Sequence, residues 1–209
     1  MEQEPADGRR ARSERSRQAV IEALLALYEA GNVAPSVAEI ATASGVSERS
    51  VFRHFADLED LAAAAVDRKL AEVMAFFADP PHDGSLDGRI DAIVDQRLAL
   101  HGRLVNLARA AAYHAVTSTT IAQVLADRRR LLWNQVGRTF APELDPLPVD
   151  RRREVHALLD LALSLEALDY LHLGAPEALE GDALRAALRD QVAAALHLAD
   201  RPDPTTPRR

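Results

Sequence analysis

The sequence predicts an all-α protein: an N-terminal three-helix helix-turn-helix domain, then a C-terminal helical domain, about nine helices in all. Three observations predict this. Apolar residues recur at steps of three and four, and no window alternates apolar and polar residues for long. Ala, Leu, Arg and Glu are abundant and cost a helix little, while β-branched and aromatic runs are scarce. Glycines and prolines, from Gly31 to Pro176, cut the chain into helical lengths.

Residues 1–12 read as a flexible basic arm. Between Arg9 and Arg17, five arginines (Arg9, Arg10, Arg12, Arg15, Arg17) meet one acid, Glu14. The first helix is expected from Ser13 to about Ala30, with Val20, Leu24, Leu27 and Tyr28 on its apolar stripe and Gly31 as its stop. A short helix follows from Ser36 to about Ser44. Ser36 and Glu39 have the spacing of a capping box, and Gly45 ends this helix. Ser47 caps a third helix reaching about Phe55. Asp57 caps a fourth, from Leu58 to about Ala78, which Pro80 and Pro81 terminate. The head is thus 13–56 and the body 57–199. In the body, Ser85 caps a helix from Leu86 to about His101, and further helices are expected over Arg103 to about Val116 and Thr119 to Phe140. Ala141 to Pro148 reads as a proline-rich loop. Two long apolar helices close the body, Val149 to about Leu173 and Pro176 to about Leu198. Residues 200–209 carry three prolines and no core residue, and read as a disordered tail.

Composition narrows the function classes. The chain has 209 residues, 48% of them hydrophobic and 27% charged, which suits a folded soluble protein. No apolar run is long enough to span a membrane, and the polar start is unlike a signal peptide. Cysteine is absent, so disulfides and thiolate metal sites are excluded and a cytoplasmic setting is expected. The net charge of -7 speaks against nucleic acid as a partner of the whole surface, but the arginines cluster at one end. On charge alone that cluster is equally a solvated tail. No P-loop, Gly-x-Ser-x-Gly or His-Glu-x-x-His motif is present, so no enzyme and no cofactor is expected. Asp169-x-x-His172, with Glu166 a turn back, has metal-ligand spacing, but a carboxylate di-metal bundle needs a second such element and none exists. The alternative to a DNA-binding protein is a helical bundle that binds a metal or small molecule without DNA.

Ser36 to Phe55, SVAEIATASGVSERSVFRHF, carries the function. Two short helices flank a tight turn at Gly45 and Val46. Val37, Ile40, Ala41, Val51 and Phe55 are spaced to face inward, while Arg49, Arg53 and His54 fall outward. That is a helix-turn-helix, in which the second helix enters the major groove. The stretch Arg17 to Leu61 resembles the DNA-binding domain of the TetR family. Arg17, Gly31, Ser36-Val37-x-Glu39-Ile40-Ala41, Gly45-Val46-Ser47, Val51-Phe52-x-His54-Phe55 and Glu59-x-Leu61 all stand at that family's spacings. The resemblance implies DNA contacts from Arg17, Ser36, Ser47, Arg49, Ser50, Phe52, Arg53 and His54. Arg49 is the candidate for reading a guanine, because its planar fork can meet two acceptors on one base. Arg53 and His54 resemble backbone-contacting positions, and Ser36 would present a hydroxyl and a helix N-terminus to a phosphate. Two positions depart from the family: Phe52 stands where tyrosine is usual and Leu58 where lysine is usual, so two phosphate contacts are missing.

The Ala- and Arg-rich composition suggests a GC-rich bacterial genome, and the resemblance implies a homodimer built from residues 149–173 and 176–198. Leu158, Leu159, Ala162, Leu165 and Leu168 mark one stripe, and Leu184, Leu188, Val192, Ala195 and Leu196 the other. These stripes could equally pack on the subunit's own core. It further implies an unidentified small-molecule ligand, with Arg97, His101, Asn106, Arg109, Tyr113, Trp133 and Tyr170 as candidate lining residues, together with Phe140 and His114. The expected activity is repression from a palindromic operator, relieved when ligand shifts the spacing of the two heads, with the fourth helix as lever.

Overall fold

A computed structural model describes the backbone of residues 4–74, 80 and 83–198, and the side chains of all of these except 4–7, 9 and 74. The tail from 200 to 209, and the end of the fourth helix toward Ala78, lie outside the described residues. Those that are described form ten α-helices and one π-helical turn, with no strand. The helices are α1 Glu4–Glu29, α2 Val37–Ser44, α3 Glu48–His54, α4 Leu58–Met74, α5 Leu86–His114, α6 Thr119–Thr139, α7 Ala141–Leu144, α8 Val149–Ala162, α9 Leu165–Asp169 and α10 Gly181–His197. The π-helical turn, Tyr170–Gly174, follows α9 directly.

Contacts divide the chain into two compact units. Unit 1 comprises 1–77 and 106–126, and unit 2 comprises 78–105 and 127–209. Helices α5 and α6 each run from one unit into the other.

Unit 1 forms around α1, which packs on α2, α3 and α4. Val20, Ile21, Leu24 and Tyr28 of α1 are buried with Ile40, Val51, Phe55, Leu61, Ala65 and Val66. α1 begins at Glu4 and not at Ser13, so residues 4–12, expected as a flexible arm, are helical turns. Pro5 falls in the first turn, where its missing N–H costs nothing, and a single Gly8 weakens a helix without stopping it. At the other end the chain reverses in a Schellman motif: Gly31 N–H bonds Tyr28 O at 2.9 Å and Asn32 N–H bonds Leu27 O at 3.0 Å. The segment from Asn106 joins this unit through side chains. Asn106 Nδ2 donates to Glu29 O at 2.9 Å, satisfying a carbonyl at the end of α1. Tyr28 Oη lies 3.2 Å from His114 Nε2. Burial pushes the Tyr28 phenol up to about 12, so it stays protonated.

In unit 2, α10 packs along α8. Arg185 and Arg189, one turn apart on α10, meet Asp87, Asp91 and Asp95 of α5 in a ladder of ion pairs between 2.6 and 3.2 Å. Arg89, buried, pairs bidentately with Glu143 at 2.8 and 2.5 Å and donates to Thr139 O at 2.7 Å, holding α5 to α7.

Four expectations about this half are corrected. Gly102 does not end a helix, and α5 is continuous from Leu86 to His114 because one exposed glycine costs only about 1 kcal/mol. The expected loop over 141–148 contains the turn α7, with Pro142 in its first turn. The expected helix 149–173 is broken at Leu163. Ser164 donates its hydroxyl back to Leu161 O and accepts from Ala167 N, so it closes α8 and caps α9. The last helix starts at Gly181 and not at Pro176, since Leu179 N–H bonds Leu171 O and His172 Nδ1 bonds Leu179 O, tying that segment back across the turn.

Candidate nucleic-acid interface and ligand-binding residues

The helix-turn-helix is set by its caps. Ser36 is extended at the start of α2 (φ -71°, ψ 158°) and accepts from Glu39 N, while Glu39 reaches back to Ser36 N at 2.8 Å. Gly45 closes α2 at φ 69°, a left-handed conformation that a side chain would strain. Ser47 then caps α3, accepting from Ser50 N at 3.3 Å, with its hydroxyl 3.1 Å from that of Ser50. Val51 points into the core, so the opposite face of α3 is presented to solvent.

On that face Arg49 and Arg53 are both exposed, four residues apart and on the same side. Neither pairs with a carboxylate among the described residues. Phe52 is 51% exposed. Arg53 also borders a groove of about 480 Å³, lined on α1 by Arg10, Arg12, Ser13 and Ser16. Helical spacing could have exposed this groove in the sequence: Arg10 with Ser13 and Arg12 with Ser16 share faces only if the helix starts early.

Other expected contacts are placed differently. Arg17 is half-buried, its guanidinium carbon 5.0 Å from the centre of the Phe55 ring, so it braces α1 against α3. His54 is half-buried and its Nε2 is shut from solvent without a partner. Burial first, then Arg53 and Arg17, holds its pKa below the usual histidine value, so it is neutral at pH 7 and supplies no cation. Ser36 gives its hydroxyl proton to Glu39 at 2.6 Å. The Ser36 side-chain and backbone hydrogen bonds hold the Glu39 carboxyl below its ordinary range, so a full negative charge sits at the N-terminus of α2. The Glu39 carboxylate therefore stands beside the hydroxyl and helix start expected to meet a phosphate. Leu58 is half-exposed at the start of α4.

The nine candidate ligand residues do not gather in one unit. Asn106, Arg109, Tyr113 and His114 belong to unit 1, and Arg97, His101, Trp133, Phe140 and Tyr170 to unit 2. Asn106 caps α1, and Arg109 Nη1 donates to it at 3.2 Å. Tyr113 is 57% exposed and Tyr170 59%. Phe140 is fully buried beneath Arg89. In unit 2, Trp133 stacks on His156, with ring centroids 3.8 Å apart. His101 Nε2 lies 3.8 Å from Asp169 Oδ1, and its ring meets His172 edge-on. Arg97 is buried without exposure, donating to Gln135 Oε1 at 2.6 Å and Gln96 Oε1 at 2.8 Å. Among the described residues no group of three His, Asp or Glu side chains is arranged to hold a metal ion. None of the helices is long and apolar enough to cross a membrane, again among the described residues.

The expected dimer stripes are largely internal. Leu159, Ala162, Leu165 and Leu168, with Leu184, Leu188, Val192, Ala195 and Leu196, are buried within the subunit. Three stripe residues, Leu158, Ala162 and Ala195, also line an apolar groove of about 400 Å³, with Leu161, Ala167, Gln191, Ala194 and Leu198. Leu161 is 63% exposed there.

No family sequence model matches the chain, and a search among curated proteins finds no relative of it by sequence. Solved structures do match. A transcriptional regulator from Rhodococcus sp. Rha1 superposes with a TM-score of 0.67 at 22% identity, over 91% of this chain and 99% of that one. A candidate TetR-family transcriptional regulator from Mesorhizobium loti gives 0.59 at 18%, over 90% and 96%. A candidate transcriptional regulator from Streptomyces coelicolor gives 0.54 at 20%, over 87% and 98%. With a capped helix-turn-helix ahead of an all-helical remainder, the chain has the fold of the TetR-type transcriptional regulators.

Proposed function

We propose that this protein is a sequence-specific, DNA-binding transcriptional regulator that works as a homodimer in the bacterial cytoplasm. One observation carries the reading: α3 offers two exposed arginines on one face, Arg49 and Arg53, beyond a turn locked by Ser36, Gly45 and Ser47. An unpaired outward pair of this kind has no role in folding and has the right chemistry for base edges and phosphates. The groove between Arg53 and the start of α1 extends the cationic surface along the backbone of a duplex. Arg49, Arg53, Ser47 and Ser50 are the contacts most in keeping with this geometry. The fold shared with other regulators agrees with it.

One α3 reads few base pairs, and a dimer solves this by placing two of them about 34–36 Å apart on one side of the DNA. The apolar groove by Leu158, Leu161 and Leu198 is the surface we assign to a second copy. The regulator acts as a repressor of a palindromic operator, and a small ligand held in unit 2 releases it. The protein in this reading binds and does not catalyse.

The test is selection of bound duplexes from a random DNA pool at moderate salt. A recovered palindrome with half-sites about ten base pairs apart, or a longer spacing filled by paired dimers, supports the reading. Failure to recover any motif, from protein with and without bound small molecules, overturns it.

A further inference from the structure

Unit 2 encloses a charge that its own residues leave half-satisfied. Arg97, on α5, heads the largest fully buried side chains among the described residues. Its Nη1 is engaged by Gln135 and Gln96, while its Nε and Nη2 have no hydrogen-bond acceptor. Nε–H and the neighbouring Nη2–H form the side-on edge of the guanidinium, two parallel donors spaced to meet two oxygens of one carboxylate. Burial lowers the pKa to about 10, so the group remains a cation at neutral pH. A buried charge without its hydrogen bonds is among the costliest features a fold carries.

The surroundings do not supply the missing partner. Asp160 on α8 feels Arg97 electrostatically, but no ion pair joins them, and burial holds its carboxyl above the usual range. Gln135 and Thr139, four residues apart, share a face of α6; both are fully buried, and Thr139 Oγ1 also has no partner. His156, one turn before Asp160, bonds Trp133 O at 3.0 Å and carries the Trp133 ring stacked on its own. Arg97 on α5 is thus fixed by Gln135 on α6 and faces the field of Asp160 on α8, with its side-on edge left open. One guanidinium balances one carboxylate, whereas a phosphate dianion would need more donors than the edge leaves open.

We infer that Arg97 anchors a carboxylate-binding site in unit 2, and that the ligand controlling this protein is a small organic acid held side-on by Nε and Nη2. The consequence for DNA rests on the regulator reading; the site does not.

The test uses full-length protein without DNA. Acetate, benzoate, hexanoate and decanoate are titrated calorimetrically, each beside its own primary amide. At least one acid binds, and its amide binds about ten-fold more weakly or less. Arg97→Gln loses that affinity, and so does Arg97→Lys, which keeps a charge but not the fork. Circular dichroism reports whether these variants fold. Independently of them, the Arg97 Nε–H resonance of the wild-type protein shifts with the acid and stays put with the amide. Failure of every acid to bind, equal binding of acid and amide, an unmoved Nε–H resonance, or undiminished binding by folded Arg97 variants overturns the site. The same acid is then added to protein on its selected duplex. Release of DNA supports the whole inference. Binding without release leaves the carboxylate site standing and overturns its regulatory consequence. DNA binding by a protein that takes no acid overturns the site alone.

Discussion

Arg49 stands exposed in the first turn of α3, where a recognition helix approaches base edges by its N-terminal residues. Arg49→Ala lowers DNA affinity by about 1–3 kcal/mol and relaxes preference at one base pair in each half-site, read by comparing selected and single-substituted duplexes. An equal loss on all duplexes makes it a phosphate contact. Glu39 behaves in the opposite sense. Its carboxylate takes the Ser36 hydroxyl, the Ser36 amide and Asn32 Nδ2, and puts a negative charge where a phosphate was expected. Glu39→Gln, measured by DNA titration, tightens binding if α2 approaches the backbone there; unchanged affinity places the nearest phosphate elsewhere. Histidines give the pH dependence. Burial lowers the pKa of His54, His114 and His156, so each binds protons more readily unfolded than folded. Their contribution to stability is complete above the unfolded value of about 6.5 and is lost as pH falls through the lowered folded values. The melting temperature therefore drops between about pH 7 and pH 5, and His114→Asn makes the drop shallower. Asp160, whose pKa is raised, acts in the opposite direction. At this scale, side-chain chemistry was legible and side-chain company was not. That Arg49 is cationic is written in the chain, but that Arg17 lies on Phe55, or that Asn106 caps α1, depends on partners far away in sequence.

Helix ends were legible wherever a local hydrogen bond makes them. Ser36 with Glu39, Ser47 with Ser50, Asp57 with Asp60 and Ser85 with Gly88 all bond as their spacing predicts, because a cap reaches only two or three residues. Gly45 belongs to the same class. Gly45→Ala puts a side chain at φ 69°, with no atom crowding it, and costs about 1–2 kcal/mol from backbone strain alone, read from denaturant unfolding. Errors came from weak breakers. Gly8 and Gly102 do not stop helices, and Pro5 sits where proline is tolerated. Ser164 breaks the helix inside a run of leucines whose periodicity continues past it, so periodicity alone does not show the break.

For the whole molecule, the question is which apolar face meets a second copy. Leu161 is exposed on α8 in a groove whose walls include Leu158, Ala162, Ala194, Ala195 and Leu198. Leu161→Asp gives a monomer by sedimentation at concentrations where wild type is a dimer, with the helical spectrum retained. Operator affinity then falls steeply, since each head binds alone. A dimer that survives the substitution places the interface elsewhere.

By itself the sequence determined the helical class, the capped helix-turn-helix and the outward arginines of α3, all of which follow from periodicity and contacts within a few residues. Only the tertiary structure decided that most of the leucines in the two C-terminal stripes are buried in the subunit's own core while Leu158, Ala162 and Ala195 line an apolar groove, and that Arg97 is buried with half its donors open. It also decided that 106–126 belongs with the N-terminal helices. A helical stripe states that a face is apolar but not what covers it, and that choice is made by packing between segments dozens of residues apart.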